Sequence, residues 1–117
     1  MIVNVIEAPK DLKYDYGDDY ELDSWALDYL KPLELDEIWY WYKAGSYEGN
    51  GQLLMRRGTE YDLEDMGHCS CNGPTELVSF KENSFEELEA SLTEGYMKLS
   101  KVLFDAARGS NKPAWEL

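Results

Sequence analysis

Histidine occurs once in this chain and cysteine twice, so neither a multi-disulfide framework nor two separated Cys-x2–4-Cys zinc pairs can be built from it. Basic residues are scarce: 11 Lys and Arg stand against 24 Asp and Glu, a formal charge of -13, and such a field repels nucleic acid. A run of roughly 18 apolar residues is absent, so no membrane-spanning helix is expected. Residues 1–7 carry neither a basic region nor a long apolar stretch, so they are not expected to be a secretory signal, and a cytoplasmic location is expected. The chain contains no phosphate-binding loop of the Gly-x-x-x-x-Gly-Lys type and no Gly-x-Ser-x-Gly nucleophile elbow. Internal repeats and low-complexity stretches are also missing.

What remains is a chain of 117 residues, the length of one domain with one hydrophobic core, and residues 1–117 are expected to form a single domain. Apolar residues make up 44%, too many for a disordered chain. Aromatics make up 14%, and their large amphipathic rings suit both a small core and an interaction surface. Acidity runs through both halves. It attracts basic surfaces, of which nucleic-acid-binding proteins have the most, and it also keeps a small protein soluble; composition leaves both readings open. Carboxylates are so abundant that any pair of them says little about acid–base catalysis.

Along the chain, residues 2–6 are β-prone and Pro9 ends the run. Residues 10–23 read as an irregular acidic loop, and Ser24 is placed to cap a short helix through Leu30, closed by Pro32. Residues 38–42 (Ile-Trp-Tyr-Trp-Tyr), 52–57 and 61–66 predict a three-strand antiparallel meander with glycine-rich turns, in which Trp39 and Trp41 share one face and Tyr40 and Tyr42 the other. Leu77, Val78 and Phe80 suggest a short fourth strand. Ser84-Phe85-Glu86-Glu87 is a capping box. Phe85, Leu88, Leu92, Tyr96, Leu99 and Leu103 recur at three- and four-residue steps, which predicts one long helix ending at Gly109. The expected fold is α+β: a small antiparallel sheet of three to four strands, a long C-terminal helix packed on one face, and a metal-stabilised loop.

All the soft metal-ligand chemistry lies within four residues, His68-Cys69-Ser70-Cys71. Zinc takes thiolate and imidazole ligands in a tetrahedron at about 2.0–2.3 Å. In an extended strand Cys69 and Cys71 face one way and His68 the other, so a turn is needed, and Gly67 and Gly73-Pro74 favour one. The fourth ligand must come from elsewhere. Glu48 in the glycine-rich turn is the first candidate, with Asp62, Glu64, Asp65, a water or a second chain as alternatives. A strained Cys-x-Cys disulfide, or Cys69 as a nucleophile activated by His68, are the competing readings.

Ser46-Tyr47-Glu48-Gly49-Asn50-Gly51, followed by Asp65-Met66-Gly67-His68-Cys69-Ser70-Cys71-Asn72-Gly73-Pro74, resembles a family of small bacteriophage and prophage proteins. That family carries a Tyr-Glu-Gly-Ser-Gly turn and a His-Cys-Ser-Cys-Tyr-Gly loop. The chain departs from it at Asn50 and Asn72, and the likeness covers residues 38–80. Acidic phage proteins of this size with a metal knot also resemble anti-CRISPR inhibitors of the type II RNA-guided nuclease. The resemblance implies a non-enzymatic protein of the host bacterial cytoplasm that binds a basic nuclease surface and blocks target DNA, with a structural Zn2+ and no direct contact with nucleic acid or membrane. The alternatives are a phage metalloenzyme or thiol-redox protein using Cys69 and Cys71, and a general mimic of DNA charge. Oligomeric state is left open.

Overall fold

Ile38, Trp39, Tyr40, Trp41 and Tyr42 are β-branched or aromatic, and they form the centre of a strand, β3 (Glu37–Ala44), whose residues 37–42 are all buried. Such complete burial requires cover on both faces of the sheet. In the computed structural model, which describes residues 1–10, 17–45, 49–67, 73–92 and 95–110, that cover is present. β4 (Gly49–Arg57) and β5 (Glu60–Asp65) continue antiparallel from β3 as the expected meander. The turn between them needs Gly58 at φ 62, in the left-handed region.

The sheet is mixed rather than purely antiparallel. β1 (Ile2–Val5) pairs parallel with the first half of β3, Ile2 opposite Glu37 and Val5 opposite Tyr40. β2 (Asp18–Asp19) pairs antiparallel with the second half of the same edge. A parallel neighbour needs a long crossover, and the stretch between β1 and β3 supplies it. That stretch includes α1 (Ser24–Asp28) and a 3-10 turn at Lys31–Leu33. Asp23, not Ser24, is the N-cap of α1, its carboxylate accepting from the Ala26 amide at 2.9 Å. Pro32 sits in the first turn of the 3-10 segment, where its missing N–H costs nothing, so the chain coils on past the expected stop.

Strand alternation divides the core in two. Ile38, Tyr40, Tyr42, Leu53 and Met55 face Ala26 and Leu30 of the α1 layer. Trp39, Trp41, Leu54 and Leu63 face Leu103, Phe104 and Ala107 of the C-terminal segment. The tryptophans and tyrosines thus separate onto opposite faces as their spacing predicts.

The C-terminal segment packs on one face, but not as one helix. α2 (Phe85–Ala90) starts at the expected Ser84 cap, whose hydroxyl accepts from the Glu87 amide at 3.2 Å. It ends at Ser91, whose hydroxyl turns back to the Leu88 carbonyl at 2.6 Å. A 3-10 segment at Gly95–Ser100 then leads into α3 (Lys101–Ser110). Ser91, Thr93 and Gly95 are poor interior helix formers, which outweighs the apolar period across them. Phe85 stays in the core by another route: its ring meets Tyr61 at 5.0 Å and Phe104 at 5.1 Å, joining β5, α2 and α3. The expected fourth strand at 77–80 does not form. Those residues make a turn and an irregular run, and Val78 and Phe80 pack as single side chains against the α1-side core.

Candidate binding site

His68, Cys69, Cys71 and Glu48 all lie outside the described residues, as do residues 11–16 of the acidic loop. The residues that anchor the two candidate ligand segments are described, and they are neighbours. The β3–β4 turn and the exit of β5 lie at the same end of the sheet. There the Met66 amide donates to the Gly51 carbonyl at 2.9 Å, and a Cβ on Gly67 would lie 3.9 Å from Asn50 Oδ1. The topology therefore roots the segment bearing Glu48 beside the segment bearing His68, Cys69 and Cys71, and this donor set matches zinc chemistry. Among the described residues, no group of three or more His, Cys, Asp or Glu side chains is arranged to hold a metal.

Asp62, an alternative fourth ligand, is already engaged. It is buried in β5, where Oδ1 accepts from the Leu63 amide at 2.9 Å and Oδ2 from the Lys81 amide at 2.8 Å. That pair of bonds ties the returning chain to the sheet. Glu64, two residues on and on the same face, is half-buried beside it. Burial, and then the Asp62 carboxyl, raise the Glu64 pKa above its ordinary value. The folded state therefore holds the Glu64 proton more tightly than the unfolded chain, and stability falls as pH rises from the ordinary carboxyl range through the raised folded value. Glu64→Gln is expected to melt above the parent at pH 7, with the difference closing below about pH 4. Thermal melts of both proteins at the two pH values check this, and an equal gap at both would remove Glu64 as the cause.

Two concave features stand out among the described residues. The first, between β3, β4 and α2, is open and polar, of about 510 Å³. Glu37, only 8% exposed, is its buried acid, and it is fully employed. One oxygen accepts from Asn4 Nδ2 at 3.0 Å and the other pairs with Arg56 at 3.3 Å, which fastens β1 and β4 to β3. Burial raises the pKa of the Tyr61 hydroxyl on its rim, against the opposing Arg56 charge.

The second is a groove of about 220 Å³ between α1 and the β2–β3 edge, lined by Tyr20, Asp23, Trp25, Tyr42, Gly45 and Pro74 among others. Its walls are fixed by backbone bonds: the Tyr20 amide donates to the Tyr42 carbonyl at 2.8 Å, and the Leu22 amide to the Tyr40 hydroxyl at 2.8 Å. Thr75 Oγ donates to the Ala26 carbonyl at 2.5 Å, so the chain following the His-Cys-Ser-Cys segment is pinned to α1. Trp25 lies over Gly73, where a Cβ would stand 2.7 Å from its ring. Sequence reading missed this groove. Tyr20 and Trp25 were visible as aromatics in an acidic stretch, but nothing in their spacing brings Tyr42 or Pro74 beside them.

No protein-family model matches the chain, and neither a curated protein nor a solved structure matches it. No helix among the described residues is long and apolar enough to cross a membrane.

Proposed function

We propose that this chain is an acidic binding module that works by occupying the basic, nucleic-acid-handling surface of another protein rather than by catalysis. The observation that carries the reading is how the fold distributes charge. All three arginines are paired inside the molecule: Arg56 with Asp36 and Glu37, Arg57 with Glu82, and Arg108 with Glu89 and Asp105. Among the described residues, a dense group of unpaired carboxylates stays on the surface. Asp18, Asp19, Glu21 and Asp23 are all exposed along β2 and the approach to α1. In the other dense acidic stretch, Glu82 and Glu89 are already held by Arg57 and Arg108, so the 18–23 edge has the freer charge.

The partner that the resemblance implies is a type II CRISPR RNA-guided nuclease, bound so that target DNA cannot load. His68, Cys69, Cys71 and Glu48 supply the ligands of a structural zinc that holds the loop end of the sheet. The test is competition. Purified chain is expected to form a stoichiometric complex with guide-loaded nuclease and to reduce its capture of target DNA. Association should slow with added salt, because exposed charges are screened over about 8–10 Å near physiological ionic strength. Asp18→Lys, Asp19→Lys and Glu21→Lys combined should slow association while leaving the melting transition in place. Undiminished DNA capture at saturating protein counts against this nuclease as the target. Turnover of a small substrate that is lost in a folded Cys69→Ser variant favours the thiol or metalloenzyme reading instead.

A further inference from the structure

We propose that the groove between α1 and the β2–β3 edge receives the guanidinium group of an arginine on the partner; this rests on the binding-module reading above and names what the site holds. At about 220 Å³ the groove is smaller than the roughly 300–1,000 Å³ of sites for drug-sized ligands, and it suits one inserted side chain. Its lining is aromatic. Tyr20 and Trp25 are 55% and 53% exposed, large rings held open to solvent, and Tyr42 forms the floor with its ring 6.4 Å from Tyr20 at 75°. Trp25 cannot fall away freely, since Gly73 lies against one side and Tyr29 meets it edge-on at 5.2 Å.

Among the described residues the groove has one charged lining residue, Asp23. Asp23 Oδ1 caps α1, and Oδ2 has no hydrogen-bond partner among the described residues. Asp18, Asp19 and Glu21, close to it in sequence, are exposed carboxylates, and no Lys or Arg is among the described residues that line the groove. Aromatic faces beside a carboxylate attract a cation. Among cations, guanidinium fits best: it is planar, it stacks on rings while still forking two N–H bonds to a carboxylate, and it sheds water more readily than an ammonium. An apolar side chain would desolvate Asp23 without compensation, and an anion would meet the acidic edge.

The test titrates the full chain with three capped peptides that differ only in carrying arginine, lysine or citrulline, the neutral isostere of arginine. Calorimetry gives the affinity, and the Trp25 indole resonance reports the place. The arginine peptide is expected to bind and shift that resonance, the lysine peptide to bind more weakly, and the citrulline peptide not to bind. Asp23→Asn keeps the helix cap but loses the charge, and Trp25→Leu and Tyr20→Leu keep apolar cover but lose a ring. Each should weaken the arginine peptide about tenfold while melting near the parent. Equal affinity for the arginine and citrulline or the arginine and lysine peptides, or unchanged affinity in the folded variants, overturns the proposal. The two readings fail separately. A nuclease complex that survives Trp25→Leu and Asp23→Asn but not the Asp18, Asp19 and Glu21 reversals overturns the groove alone. Absence of any nuclease complex removes the nuclease reading, while the peptide titration still decides the groove.

Discussion

Replacing Cys69 or Cys71 with Ser is expected to strip a bound zinc and lower the melting temperature on the order of 15 °C. His68, Cys69 and Cys71 place three soft ligands within four residues, the donor set of a structural zinc. The segment that carries them follows Gly67, which lies beside Asn50 at the start of β4, and precedes Gly73, which lies against Trp25. A metal there would clamp the sheet end to the α1 layer. A ligand present at 1,000 times its dissociation constant stabilises the folded state by about 4.1 kcal/mol. A domain of this size shifts by about 4 °C for each kcal/mol, which gives the expected fall. Elemental analysis of protein prepared without chelator should find about one zinc per chain. Glu48→Gln should release zinc more readily than Glu86→Gln, since Glu86 is an exposed residue of α2 and not a candidate ligand. Finding no metal, or Ser variants that melt like the parent, would show that the knot does not stabilise the fold.

Trp41→Ala should be the most damaging single change in the sheet, with a loss of about 3–5 kcal/mol from cavity and transfer effects alone. Trp41 has no solvent exposure, and its indole Nε1 donates to Gln52 Oε1 across the β3–β4 pair at 2.9 Å, in a part of the core where Gln52 is also fully buried. Truncation opens a cavity between the sheet and α3 and also withdraws that donor, which adds a further cost of about 1–3 kcal/mol. Against a typical total of about 5–15 kcal/mol, the variant is expected to be partly unfolded at 37 °C. Urea unfolding of the parent, Trp41→Ala and Trp25→Ala provides the comparison. Trp25 is half exposed on the groove, so its truncation should cost far less. Similar midpoints for the two variants would mean that the Trp41 site collapses to fill the space.

These two tryptophans also mark how much of the protein was legible beforehand. The alternation of residues 38–42 predicted the β3 strand, and placed Trp41 on one face and Tyr40 on the other, because a strand's side chains point in turn to opposite sides. The meander and the Ser84 cap were legible for the same reason, as each depends on residues close together in the chain. The single C-terminal helix was misread where period and propensity disagree, at Ser91–Gly95. Trp25 reads from the sequence only as an apolar residue of the short helix; its exposed place over Gly73 is not legible there, because Gly73 and Pro74 are nearly 50 residues away.

The residues by themselves determined the acidity, the aromatic core, the α+β class and the clustering of His68, Cys69 and Cys71. All of these are properties of composition or of short spacing. Only the tertiary structure decided that β1 joins the sheet parallel to β3, since that pairing depends on a crossover whose path no local signal specifies. It also decided which acids are neutralised and which remain free. Arg57 and Glu82 are 25 positions apart and Arg56 and Glu37 are 19 apart, so their pairing is a matter of folded geometry rather than of composition. The groove arises in the same way: Tyr20, Trp25, Tyr42 and Pro74 meet only because hydrogen bonds from Tyr20, Leu22 and Thr75 draw three distant segments to one edge of the sheet.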